Sequence, residues 1–531
     1  MMRRRNADES PPSSAFKSKE DTKKPQKSRG SLPVLLLTAC AIPLLWFQLH
    51  REETSSSFLR TSSNDQCRYY LAESAIPMGG LGVYTATDVP KGALAQPTPD
   101  ICIYVADTPS GTAFHSHSWA QDVFNGAFEG HNPRAACEGF ATLFNSLPES
   151  VKTSRLNPMP IQTNGGLHRQ RNPGAGAISQ YFGIWSQAVR DIPAGSELTI
   201  DYGDWQYDEK KKYKAPKRSV SWLRQNGLCM DNIDIQPATD PEMGRGAFAR
   251  YSLSKGSLVA PMPLQIYPKR SKFAKRKPEA QFVNYCLSPR PDSELLLFPY
   301  GSGVNLINHS NEPNVGLRWS KHHMHHGQWL SLPFPQLMEM QYPGSLLLEV
   351  YALREIAEGE EFFLDYGSEW QAAWDAHVEQ WKPWNKGNYV YPAEMDPNEP
   401  LRTVEEQKTQ PYAQNLHTAC HTPEWDRDPG PMRWTQPTFD WPEGLVLCEI
   451  LARKRDPETG EDVYDVVLNF EKNADIGTSL PREQMYIDTR VPRSAISWVD
   501  QMYRSDLHLP NGFRHPIMIP PDLVPEAWKE L

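Results

Sequence analysis

The stretch Val304-Asn-Leu-Ile-Asn-His-Ser-Asn-Glu-Pro-Asn314 decides how the rest of the chain is read. A mostly apolar lead of Val304, Leu306 and Ile307 runs straight into Asn308-His309-Ser310, and Pro313 forbids a continuing helix. The pattern predicts a core strand ending in three side chains that could face water or bond locally. Buried polar groups need partners, so other backbone or a ligand must meet them. Downstream, Gly359-Glu-Glu-Phe-Phe-Leu-Asp-Tyr-Gly367 sets acidic residues around an aromatic strand that stops at Asp365-Tyr366-Gly367. Upstream, Gly244-Arg245-Gly246-Ala247-Phe248-Ala249 reads as a tight glycine turn opening a strand.

In this order and spacing the three pieces resemble the SET-domain protein lysine methyltransferases. The resemblance implies a β-rich fold, S-adenosylmethionine as cofactor, and a protein or peptide lysine as substrate. It implies that Gly244, Arg245 and Gly246 bring backbone to the cofactor, that Asn308 and His309 bond it, and that Tyr366 holds its hydroxyl at the transferring methyl. The sequence departs from that pattern in three places. Asn311 stands where a cysteine often follows Asn-His-Ser, no three-cysteine cluster follows Tyr366, and Leu364 occupies a channel position commonly held by Phe or Tyr. A C-terminal module would therefore have to close the channel.

A second set of motifs precedes the first. Gly80-Leu81-Gly82 and Asp201-Tyr202-Gly203 mirror Gly244-Arg245-Gly246 and Asp365-Tyr366-Gly367, and Gly82 to Gly203 and Gly246 to Gly367 are both 121 residues apart. Equal spacing predicts an internal duplication, hence two tandem SET (β-clip) domains. Where the first unit should carry Asn-His-Ser it has Ala141-Thr-Leu-Phe-Asn-Ser-Leu-Pro148, with no histidine. That unit is expected to keep the fold and to have lost the cofactor. A tandem arrangement with a closing β-module resembles SET proteins of microalgae.

Length and composition bound the remainder. A chain of 531 residues needs two or three cores, and forty-eight prolines favour short strands and ordered connections over helical bundles. Residues 1–30 carry +5 of a formal net −9, leaving −14 on the body. An acidic body argues against direct nucleic-acid binding and suits a basic peptide. The eight cysteines include no Cys-x-x-Cys pair, which argues against structural zinc, and setting aside Cys40 leaves seven, one too many for complete pairing. Lys321-His-His-Met-His-His-Gly327 lacks an accompanying carboxylate or cysteine and reads as a solvated insertion rather than a metal site.

The predicted organisation is a mostly β protein with some α. It comprises a disordered basic tail (1–30), a transmembrane signal anchor (31–50), a linker (51–66), a degenerate SET-like domain (67–206), a linker (207–224), a SET domain (225–385), a Pro-rich connection (386–440) and a β-rich module (441–531). Leu32–Leu49 is uncharged and just long enough to span a bilayer, the alternative being the apolar core of a cleaved signal peptide. The basic flank at Lys23–Arg29 predicts a single-pass membrane protein with a cytoplasmic N-terminus, in an endomembrane or cell-surface compartment. Two functions follow from different classes: a membrane-anchored protein-lysine N-methyltransferase, or a catalytically silent SET scaffold tethered to a membrane. Cofactor binding separates them.

Overall fold

A computed structural model describes residues 66–529, apart from 78, 106–118, 121–133, 163–166, 179–180, 203–206, 208–211, 275–278, 340–345, 385–387, 422–444, 469–485 and 501–508. The fold is mostly β with short helices. At its centre lies the strand Leu258–Tyr267, in which nine of ten residues are buried. It pairs with Leu347–Ala352 through its first half and with Leu296–Pro299 through its second. Pro261 and Pro263 fall in the half paired on one edge only, where a missing N–H breaks no ladder. The sheet runs Val315–Trp319, Leu347–Ala352, Leu258–Tyr267, Leu296–Pro299, Leu287–Ser288 and Ile517–Met518.

The first half builds its own five-stranded sheet, ordered Trp119–Ala120, Arg134–Glu138, Asp100–Val105, Tyr181–Ala188 and Ser154–Gln162. One apolar cluster nevertheless joins the two halves, with Val83, Ile103, Phe140 and Phe144 packed together with Phe273, Phe282, Phe298 and Tyr300. Ile101 in turn belongs to the core of the second half. Burial on this scale is the main favourable term in folding. Neither half therefore has a core wholly its own. Cys67 pairs with Cys229, Cys102 with the directly opposite Cys137, and Cys420 with Cys448. Cys286 is left buried and unpaired.

A third sheet, with its own core around Leu401, Ile450, Tyr464, Val466 and Trp498, is ordered Tyr486–Pro492, Asp462–Leu468, Leu445–Arg455, Leu416–His421 and Ile496–Asp500. Its hairpin turns at Asp456, whose carboxylate accepts the amides of Glu458 and Thr459, with Gly460 at φ 71°. The sheet draws in Leu416–His421 from ahead of residue 441, and the chain after 508 leaves it for the second half. There Ile517–Met518 adds a parallel strand to Leu287–Ser288, and Trp528 is buried edge-on to Trp319.

The membrane anchor and the single-pass localisation are corrected here. No helix among the described residues is long and apolar enough to cross a membrane. Residues 1–30, 31–50 and 51–65 lie outside the described residues, so the apolarity of Leu32–Leu49 stands as composition without an observed helix. The described residues all belong to one unit, Thr61–Leu531.

Candidate active site

The decisive stretch does not enter the core as a strand. Val304–Leu306 forms a 3₁₀ turn entered through Gly303 at φ 70°, and only Asn308–His309 is extended. Val304, Leu306 and Ile307 are buried as expected. Asn308 and His309 pair in parallel with Phe363 and Leu364. Asn314 locks this crossing: its Nδ2 donates to the Glu361 carbonyl at 2.7 Å and its Oδ1 accepts the Phe363 amide at 2.7 Å. The polar residues after the apolar lead are thus met by the later strand.

Asn308 Nδ2 donates to the Arg245 carbonyl at 2.9 Å and to Glu361 Oε1 at 3.1 Å. His309 Nδ1 accepts the Tyr366 amide at 3.0 Å, so the ring proton sits on Nε2, which donates to Gln371 Oε1 at 2.7 Å. Tyr366 donates its hydroxyl to the Ile307 carbonyl at 2.6 Å, and burial pushes its phenol well above the ordinary tyrosine range. Trp370 lies 4.9 Å from the His309 ring and 5.0 Å, edge-on, from that of Tyr366, and stacks on Trp374. Asn308, His309 and Tyr366 are therefore brought together with the glycine turn.

The turn works differently from its sequence reading. Gly244 has φ 78°, a conformation that favours glycine. A Cβ on Gly246 would stand 2.3 Å from Glu361 Oε1, so the space that Gly246 leaves is already taken by a buried carboxylate. Glu361 also accepts the Thr239 amide at 2.8 Å, tying the turn to the later strand. Arg245 sends its side chain into the core beside Tyr285 and Glu138, where burial pulls its guanidinium below the ordinary range. At Arg245, backbone rather than side chain faces Asn308.

Residues 513–519 close the far side. Met518 donates its amide to the Tyr366 carbonyl at 3.0 Å, and Gly367, at φ 96°, makes room for the Met518 side chain. Phe513 packs edge-on against Trp370 and Trp374. These contacts come from within residues 441–531, the module from which a closing element is expected. Sequence reading missed Glu361, Gln371 and Tyr285. Glu361 and Gln371 sit within or just after the Gly-Glu-Glu…Asp-Tyr-Gly motif and were findable there. Tyr285, whose phenol bears on both Tyr366 and Arg245, carries no local signal.

S-adenosylmethionine fits this framework at one observed feature. In a parallel pair, alternate residues bond the partner strand. Ser310 donates to the Leu364 carbonyl at 3.0 Å, so the backbone N–H and C=O of His309 face the other edge. Among the described residues that edge has no further strand, because the sheet of Asn308–His309 and Phe363–Leu364 has two. A purine edge, with its adjacent donor and acceptor, matches such a pair of groups. Among the described residues no group of His, Cys, Asp and Glu is arranged to hold a metal ion.

The first half repeats the bonding set. Asn145–Ser146 pairs in parallel with Thr199–Ile200. Asn145 Nδ2 donates to the Leu81 carbonyl and to Glu197 Oε1, at 2.8 and 3.0 Å, and that carboxylate fills the space left by Gly82. Tyr202 donates to the Phe144 carbonyl at 2.8 Å. Ser146 takes the place of His309, accepting the Tyr202 amide at 3.0 Å, and its hydroxyl also bonds Tyr207.

The SET-domain family model matches residues 244–367. Over those residues the chain is similar to SET domains. The expectation of two tandem SET domains is corrected, since the family model matches this segment alone and the earlier strand carries Ser146 in place of the histidine. No curated protein matches the chain. Among solved structures, a putative histone methyltransferase of Plasmodium falciparum is 20% identical, over 26% of this chain and 96% of that one, with a TM-score of 0.18. A chain of an active polycomb repressive complex 2 is 16% identical, over 29% of this chain and 17% of that one, with a TM-score of 0.20. One from the Chaetomium thermophilum complex is 18% identical, over 26% and 15%, with a TM-score of 0.19. At such TM-scores these likenesses carry no argument, and the chain spans under a fifth of either polycomb chain.

Proposed function

We propose that residues 244–367 act as a protein-lysine N-methyltransferase using S-adenosylmethionine, with Tyr366 as the catalytic residue and Gly244, Arg245, Gly246, Asn308 and His309 around the cofactor. The observation that carries this reading is the unpaired backbone edge of His309 beside a hydroxyl anchored on the Ile307 carbonyl. Bound S-adenosylmethionine supplies an activated methyl on a positively charged sulfur, so the protein's part is orientation and electrostatics. Tyr366 commits its proton to Ile307, which turns the oxygen lone pairs toward the reacting groups. Its raised pKa keeps the phenol neutral, so it serves as a fixed dipole and not as a base.

The substrate amine, with an ordinary pKa of about 10.4, must lose its proton before it attacks. Leu364, buried at the position the resemblance gives to the substrate channel, would disfavour the ammonium form. What remains is positioning, which the hydrogen bonds of His309 and Asn314 secure by fixing Tyr366 and the strand Phe363–Leu364 just before it. The test is an equilibrium titration of the full chain with S-adenosylmethionine by calorimetry. Saturable one-site binding is expected; no binding would leave the scaffold reading in its place.

A further inference from the structure

Residues 172–177 belong to the first half, outside the SET match, yet they touch four elements that surround Tyr366. Asn172 Nδ2 donates to the carbonyl of Glu242, two residues before Gly244, at 3.4 Å. The Pro173 carbonyl accepts from His377 Nε2 at 2.8 Å, on the helix Ser368–Gln380 that begins two residues after Tyr366. The Gly176 carbonyl accepts from the half-buried Arg514 guanidinium. The Ala177 carbonyl accepts from Asn284 Nδ2 at 2.9 Å, next to Tyr285, and the same amide group holds the Phe513 carbonyl at 2.9 Å.

The segment is shaped for this. Asn172 Oδ1 accepts the Gly174 amide at 2.7 Å, and Ala177 donates to the Gly174 carbonyl at 2.9 Å, which turns the three carbonyls outward to different partners. A Cβ on Gly174 would lie 2.8 Å from Leu167 and 3.5 Å from Trp374, so only glycine lets the segment pack against that indole without displacing Leu167. Asn172, Gly174, Ala175 and Gly176 are all buried. Donors held away from water without an acceptor are costly, and the half-buried Asn284, His377 and Arg514 each direct an N–H at this one segment.

We infer that residues 172–177 form a wall of the SET site, and that this wall fixes the helix after Tyr366 against the Asn308–His309 strand. The inference rests on the reading of residues 244–367 as the site. It makes the first half a positioning element of the reaction, even though it carries Ser146 in place of the histidine. His377 acts through the helix it sits on and touches none of the reacting groups.

The experiment uses the full chain and the variants His377→Ala and His377→Gln, the latter keeping an N–H donor. Hydrogen exchange is read at the amides of Ser310 and Tyr366, which bond Leu364 and His309. His377→Ala should accelerate exchange at both by about tenfold, the equivalent of one hydrogen bond, with the thermal midpoint little changed, and His377→Gln should restore it. S-adenosylmethionine affinity should fall and recover in parallel. Faster exchange confined to residues 172–177 and 368–380 would overturn the inference, as would undiminished affinity in His377→Ala. If the parent chain fails to bind S-adenosylmethionine while the exchange coupling is present, the wall stands and the proposed function falls.

Discussion

Tyr366 hangs from a single acceptor, the Ile307 carbonyl, and that carbonyl belongs to the residue just before Asn308. Tyr366→Phe removes the hydroxyl and almost no volume. It should lower methyl transfer on the order of 10²–10³-fold, the usual cost of losing one oriented polar group at a reacting centre. S-adenosylmethionine affinity should stay within about threefold, because the His309 backbone edge is untouched. Turnover at the parent rate would withdraw the catalytic assignment. At this scale the motif residues were readable because each is chemically odd in place: a polar triplet after an apolar lead, a tyrosine ending a strand. The reason for Gly246 was not readable. Its missing Cβ makes room for Glu361, 115 residues away in sequence, and no local pattern reports an occupant that distant.

Among the elements, the insertion Lys321–Gly327 departs most from its sequence reading as a solvated stretch. Met324 is buried, and two of the four histidines accept backbone amides through Nδ1: His322 from Met324 at 3.4 Å and His325 from Leu347 at 3.1 Å. Burial lowers the pKa of both, reinforced by His323 beside His322 and His326 beside His325, while Glu349 opposes at both and Glu73 at His322. A histidine whose folded pKa is depressed contributes stability that is present above its unfolded value of 6.5. That stability is lost as pH falls through the folded value. The thermal midpoint should therefore decline below about pH 6.5. His325→Asn, which keeps an acceptor for the Leu347 amide and cannot take the proton, should flatten the decline. An unchanged pH profile in that variant would exclude His325 as the source.

Over the whole molecule, the two halves meet at a pair of buried acids. Asp100 accepts the amides of Phe140 at 2.8 Å and Thr142 at 2.9 Å, capping the turn Ala141–Leu143. Burial pushes it up to about 7 against those bonds. Glu138, one residue past Cys137, lies against the amides of Gly303 and Val304 at the equivalent turn of the second half. Burial, with Asp100 adding to it, raises its carboxyl well above the ordinary range. Carboxyls raised in this way contribute stability below their unfolded pKa, about 4 to 4.5, and lose it as pH rises through the folded value. Glu138→Gln cannot ionise and should gain on the parent chain as pH climbs from 5 to 8 in thermal unfolding. A constant difference across that range would show that Glu138 is ionised in the folded protein.

The mostly β character could be read from the residues alone, because its signals are local: glycine and proline punctuation that favours short strands, and an odd cysteine left after pairing. The order of the motifs was enough to bring Gly244, Asn308, His309 and Tyr366 to one site. Tertiary structure decided what supports them. Glu361 beneath Gly246, the wall at 172–177 and the closing strand at Ile517–Met518 are contacts between residues far apart in the chain. Periodicity and turn chemistry report how a segment folds upon itself. Which distant carboxylate or carbonyl fills the space beside it is settled only when the shared core draws both halves together.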